Sequence, residues 1–151
     1  MATAGNKDDR APELGASATV DLEVRESDCA NVLSLSDDPR DQFPAVFATT
    51  RMIALMELAS ARLMHPLLQP GEMSVGAHVD VSHTASTPIG AKVSAVANYR
   101  GRDGKLFVFD VVAHDPGGDI GRGTHKRAII LRERLLSGAA KRAFVDREKR
   151  G

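Results

Sequence analysis

Glu57 is the residue of this chain whose setting most suggests chemistry. It lies in PAVFATTRMIALMELASARLM (44–64), a run rich in Ala, Leu and Met with no internal Gly or Pro. Its neighbours three and four positions away, Ile53, Ala54, Ser60 and Ala61, offer no cation on the same helix. An ionised carboxylate on an otherwise apolar helix is costly unless it is paired, hydrogen-bonded or reached by water. The stripe Thr50, Ala54, Glu57, Ala61 is small or polar and leaves room beside the carboxylate for a ligand or another backbone. A buried carboxylate whose pKa its surroundings can tune suits a general base or a nucleophile. The same side chain could instead form a structural ion pair with Arg51, Arg62 or Arg127.

Three further residues belong beside it. His83 ends the alternating run 74–83 and, by parity, shares the face of Val75, Val79 and Val81, so it is expected to point toward the helix. Such a histidine is either an acid/base or a hydrogen-bonded part of the core. Gly76, within the same run, has no side chain to pack; its N–H is a candidate oxyanion donor, and a β-bulge is the equal alternative. Thr49 stands eight residues before Glu57, ~12 Å along a continuous helix, too far for both side chains to meet one carbonyl. It therefore caps the helix or serves a site completed by another subunit. The five histidines show no metal-ligand spacing beyond His78-x-Asp80, so no metal is expected. A phosphate-binding P-loop and a GxSxG elbow are absent, and Gly121-Arg122-Gly123 has no helix after it, which removes a dinucleotide fingerprint.

The elements that must position these residues follow from periodicity. Residues 1–16 read as a mobile leader and 17–132 as one domain, with a tail at 133–151 that is partly helical around Leu135 and Leu136. A strand over 19–24 buries Val20, Leu22 and Val24. A polar connection follows, with a short strand possible at 31–35. The helix over 44–64 starts at Pro44, ends before Pro66 and is apolar nearly all round. Strands are expected over 74–83, 89–100, 105–114 and 120–132, with a hairpin at Gly101-Arg102-Asp103-Gly104 and a turn at 115–119. This is an α+β layout of one long helix wrapped by an antiparallel sheet of about five strands. One such sheet covers only part of the helix, so a homodimer or higher even oligomer is expected.

Composition narrows the function classes. Lys+Arg and Asp+Glu both total 20, so the net charge is zero and nothing draws the chain to nucleic acid or an anionic membrane. No apolar run approaches the ~20 residues of a membrane span, and the N-terminus lacks a signal-peptide core, which predicts a cytoplasmic protein. The single cysteine, Cys29, cannot make an internal disulfide and reads as a buried or half-buried thiol. The charged run 146–150 reads as solvated, with a phosphate-contacting arm as the alternative.

Taken in order, Phe47-Ala48-Thr49, Leu55-Met56-Glu57, Ser74-Val75-Gly76, Val81-Ser82-His83-Thr84-Ala85, Thr87-Pro88-Ile89-Gly90, Ala113-His114-Asp115 and Gly123-Thr124-His125-Lys126-Arg127 resemble the fluoroacetyl-CoA thioesterase-like branch of the hotdog superfamily. The resemblance covers about 17–132. It implies a hotdog fold, a dimer with sites at the subunit interface, and hydrolysis of a short acyl-CoA without a cofactor beyond the CoA of the substrate. It places Thr49, Glu57 and His83 as the catalytic residues and Gly76 near the thioester oxygen. Phe43 matches the aromatic that gates the acyl pocket, and Arg127 matches a position of the family motif counted here with substrate binding. Non-catalytic acyl-CoA binding and hotdog dehydration or hydration are the competing functions.

Overall fold

The computed structural model describes residues 9–150, the last six by backbone alone. Five strands, β1 (Ser17–Glu23), β2 (Glu72–His83), β3 (Lys92–Asp103), β4 (Leu106–Asp115) and β5 (Gly118–Leu131), form one antiparallel sheet in the order β1-β3-β4-β5-β2. Helix α1 (Thr49–Met64) lies across it, and α2 (Arg132–Arg150) continues from β5. The architecture is the expected helix wrapped by five strands.

Helix α1 buries Met52, Leu55, Met56, Ala59 and Met64 against Val93, Ala95 and Ala97 of β3 and Phe109, Val111 and Ala113 of β4. Fully burying a Leu or Met side chain contributes roughly 1.5–3 kcal/mol, so this face fixes the helix on the sheet. The alanines in β3 and β4 let the helix come close. On its other side Thr50, Ala54 and Leu58 are exposed, so one sheet does leave part of the circumference uncovered.

Helix α1 begins at Thr49, five residues later than Pro44, where its start was expected. The intervening backbone bonds elsewhere: the Val46 carbonyl accepts from Ala30 N–H, Phe47 N–H donates to the Thr87 carbonyl and Ala48 N–H to the Asp28 carbonyl. These tertiary bonds override the helix propensity of 44–48. The short strand considered at 31–35 is replaced by a 3-10 turn, Ala30–Val32. Cys29 is fully buried, as expected of a free thiol.

The β3–β4 turn is tighter than the four residues read as a hairpin. Asp103 pairs with Leu106, leaving Gly104-Lys105 as the loop, with Gly104 at φ 59°. Gly101 lies instead inside β3, at a register shift. Strand β3 begins at Lys92 rather than 89.

The second half of the expected leader is tied to the body. Arg10 makes a bidentate ion pair with Glu72, at 2.7 and 3.0 Å, and donates to the Leu67 carbonyl. Gly15 N–H bonds the Tyr99 carbonyl. Residues 1–8 lie outside the described residues. The C-terminal segment is one helix of 19 residues rather than a short one, and its described side chains are exposed.

Candidate active site

A β-bulge in β2 determines which side chains face the helix. Gly76 pairs with Arg127 and His78 with Lys126, so Ala77 is an extra residue in the strand. Beyond the bulge Val79, Val81 and His83 share the helix-side face with their partners His125, Gly123 and Gly121. Before it, that face carries Ser74 and Gly76. Val75, expected on the face of His83, therefore lies on the opposite one. Without the bulge Gly76 and His83, seven residues apart, would face opposite sides.

At one end of this face stands a cluster centred on Arg127. The Glu57 carboxylate finds its cation there, with Nη1 of Arg127 3.1 Å from Oε2. The guanidinium also donates through Nε to Ser74 Oγ at 3.0 Å, through Nη2 to the Ser74 carbonyl at 2.9 Å, and through Nη1 to His125 Nε2 at 3.1 Å. Arg127 is buried, its side chain 7% exposed, whereas that of Glu57 is 41% exposed. Glu57 Oε1 makes no hydrogen bond among the described residues. Burial pulls the Arg127 pKa below its ordinary value, and the bond to Glu57 opposes that pull.

Gly76 is where the strand touches this carboxylate. A Cβ at this position would lie 2.8 Å from Glu57 Oε2 and 3.1 Å from His125 Cε1, so only glycine allows the approach. The β-bulge considered for Gly76 is present, and the same residue lies close against the Glu57 carboxylate. In a Gly76→Ala variant the carboxylate must give way to the added Cβ. Turnover is expected to fall about 10–100-fold, the scale of an ångström's misplacement, with the fold intact by circular dichroism. Unchanged turnover would show that the contact is incidental.

His125 Nδ1 lies 2.8 Å from the His78 carbonyl, which can only accept, so Nδ1 carries the proton. Nε2 then accepts from Arg127, and the ring is neutral by assignment from its partners. Burial lowers its pKa below 6.5; Arg127 on β5 and His78 on β2 add to the lowering, while Glu57 on α1 and the bond to the His78 carbonyl oppose it. The unfolded histidine takes up a proton below about pH 6.5, and the folded one resists. Stability is therefore expected to fall as pH drops through that value and to level off below the folded pKa. The urea midpoint of a His125→Gln variant should show less of this decline than the wild type, and an equal decline would contradict the assignment.

Thr49 and His83 meet at the other end of the face, with Oγ1 of Thr49 2.7 Å from Nδ1 of His83. Thr49 is the first residue of α1, and the helix has no side-chain cap, so the capping role is not realised. His83 Nε2 is buried and has no hydrogen-bond partner among the described residues. Two hollows adjoin Thr49, each of about 310 Å³: one is lined by His83, Thr84 and Ser86, the other by Leu33, Phe43, Pro44 and Thr50.

The two ends stay apart within one chain. From the Gly76–Arg127 pair to the His83–Gly121 pair is six residues of β5, about 20 Å. Thr49 and His83 are thus brought together, as are Glu57, Gly76 and Arg127, but the pairs do not meet. Sequence reading missed Ser74 and His125. The available signal was the alternate series Gly121, Gly123, His125, Arg127 in β5, non-apolar residues on the face toward a buried helix. Among the described residues no group of three or more His, Cys, Asp or Glu could hold a metal.

A five-stranded antiparallel sheet around one long helix, with a carboxylate of that helix against the bulge of an edge strand, defines a hotdog-fold protein. The chain belongs to the FlK family, described as fluoroacetyl-CoA-specific thioesterase, whose sequence pattern matches residues 24–133. It is 47% identical over 94 residues to the fluoroacetyl-CoA thioesterase of Streptantibioticus cattleyicolor, covering 62% of this chain and 68% of that one. A solved structure of the fluoroacetyl-CoA thioesterase FlK superposes with TM-score 0.81 at 38% identity, over 87% of this chain and 98% of that chain. A thioesterase superfamily member of Thermus thermophilus, described as hypothetical, gives TM-score 0.75 at 25% identity over 94% and 99%. All but the first two residues of α2 lie beyond the family match.

Proposed function

We propose that this protein hydrolyses the thioester of a short or small-substituent acyl-CoA to the free acid and CoA, with Glu57 as nucleophile or general base. The observation that carries the reading is the carboxylate held against the Gly76 backbone at a distance only glycine permits, one oxygen tied to Arg127 and the other unbonded. Membership in a family described by thioester hydrolysis supports it. A thioester carbonyl beside Gly76 would have its oxygen stabilised by the Gly76 N–H, and by the Thr49 hydroxyl, as negative charge develops. Glu57 either attacks the carbonyl carbon, giving an acyl anhydride that water opens, or takes a proton from the water that attacks. Both routes consume one water and release one acid and one CoA thiol. His83, oriented by Thr49, supplies the proton to the departing thiolate. Phe43 lines the hollow beside Thr49 and bounds the acyl group. No metal or cofactor is required.

This chemistry needs the two halves of the site to meet, and the sheet edge offers the means. Strand β2 is a 12-residue edge strand whose residues Ala77 to Asp80 are exposed. An unpaired edge of this length favours pairing with another strand. Antiparallel pairing of two copies about a two-fold axis near Val79 or Asp80 sets His83 of one copy opposite residues 75–77 of the other. Thr49 and His83 of one copy then face Glu57 and Gly76 of the second, which resolves the separation within one chain. The working unit is accordingly a homodimer or a higher even oligomer. No helix among the described residues is long and apolar enough to cross a membrane, and the proposal places the protein in the cytoplasm with its substrate. Product analysis with acetyl-CoA tests the function: equal amounts of acetate and free thiol support it. Acetyl-CoA bound but left intact would replace it with a binding function, and crotonyl-CoA hydrated to its 3-hydroxyacyl thioester without thiol release would replace it with a hydratase function.

A further inference from the structure

We propose that His125 is a positioning residue for this site: its neutral imidazole ties the bulge of β2 to the Arg127 guanidinium and so sets the direction of the Glu57 carboxylate. The proposal rests on the reading that Glu57 performs the chemistry. The ring is 1% exposed and spans two structures that must keep a fixed relation. Nδ1–H donates to the carbonyl of His78, the residue that follows the extra residue Ala77, and Nε2 accepts from the same Arg127 Nη1 that reaches Glu57. A guanidinium is a planar fork of donors, and here Nε and Nη2 are both taken by Ser74. The Nε2 lone pair of His125 completes the set, with Nη1 shared between it and the carboxylate. The Cε1 edge of the ring also borders the space a Cβ would need at Gly76. Placement of the bulge, of the glycine and of the carboxylate therefore converges on one imidazole. Protonating Nε2 would set N–H against N–H and turn Nη1 away, so the device works only with the neutral ring.

Two substitutions test the tie. His125→Asn keeps a donor near the His78 carbonyl and loses the acceptor for Arg127, whereas His125→Gln, whose amide N and O are spaced like the two ring nitrogens, keeps both a donor toward the His78 carbonyl and an acceptor for Arg127. We expect kcat of His125→Asn to fall about 10–100-fold with KM little changed, and kcat of His125→Gln to stay within about threefold of wild type, the range of a preserved contact. Equal losses in the two variants, or no loss in either, would overturn the proposal. Imidazole ¹⁵N NMR of the wild-type protein keeps the test open if the variants fold poorly. It should show a neutral His125 ring with its proton on Nδ1 at pH 7; an imidazolium, or the Nε2–H tautomer, would overturn the proposal. This spectrum does not depend on turnover. A wild type that shows the expected tautomer but releases no thiol would therefore sink the thioesterase reading and, with it, the catalytic purpose of the device, while leaving the hydrogen-bond assignment intact.

Discussion

A Glu57→Gln variant is expected to stay folded and to lose thiol release by about three orders of magnitude or more, the scale on which a nucleophile or general base acts. The amide has nearly the shape of the carboxylate and offers Arg127 an oxygen to bond, but it can neither attack a carbonyl usefully nor take a proton from water. The competing view, a structural ion pair, predicts the reverse balance: activity untouched and stability reduced. The geometry weighs against a large structural role. Arg127 keeps its bonds to Ser74 Oγ, the Ser74 carbonyl and His125 Nε2 when the Glu57 charge is removed. The carboxylate itself is 41% exposed, so the loss in stability should be only about 1–2 kcal/mol, between the values for exposed and buried pairs. Measuring kcat and a urea midpoint on the same preparation separates the two. Full turnover in the variant would remove Glu57 from the mechanism.

A second large effect is expected from mixing two dead proteins. Glu57→Ala and His83→Ala variants should each be nearly inactive alone. If Glu57 of one copy works with His83 of the other, a mixed dimer contains one site with both wild-type residues and one with neither. Random exchange between two isologous dimers makes half of them mixed, so about a quarter of wild-type activity should return. Return requires that subunits exchange, which a brief passage through mild denaturant allows. If both residues of each site came from a single chain, no mixed dimer would contain an intact site and activity would stay at the level of the variants. The single-chain structure favours the first outcome, because about 20 Å of strand separates Gly76 from His83.

The layout of one helix and five strands was legible because long periodic segments carry their own signal: alternation in 19–24 and 105–114, and an uninterrupted run of helix formers through Met64. The start of α1 was not, because 44–48 gives its backbone bonds to residues 28, 30 and 87, contacts remote in sequence. Glu57 could be singled out from local sequence alone, since a carboxylate without a same-helix cation among apolar neighbours is anomalous wherever the helix sits. Of the cations considered for it, Arg127 is the partner found. The bulge at Ala77 was hidden by an alternation, Val75, Ala77, Val79, Val81, that looks continuous. It gave His83 its correct face while placing Val75 on the wrong one. His125 was given no role for a related reason: the alternate series Gly121, Gly123, His125, Arg127 marks its face of β5, but what it bonds to there comes from the pairing of β5 with the bulge.

The most direct measurement is free thiol released by the wild-type protein from a size series, fluoroacetyl-, acetyl-, butyryl-, hexanoyl- and phenylacetyl-CoA. Turnover is expected for the small acyl groups, with kcat/KM declining as the chain outgrows the hollow bounded by Phe43 and Thr49. Release of thiol from none of the five, by protein that still binds CoA, would contradict thioester hydrolysis as the function of this site.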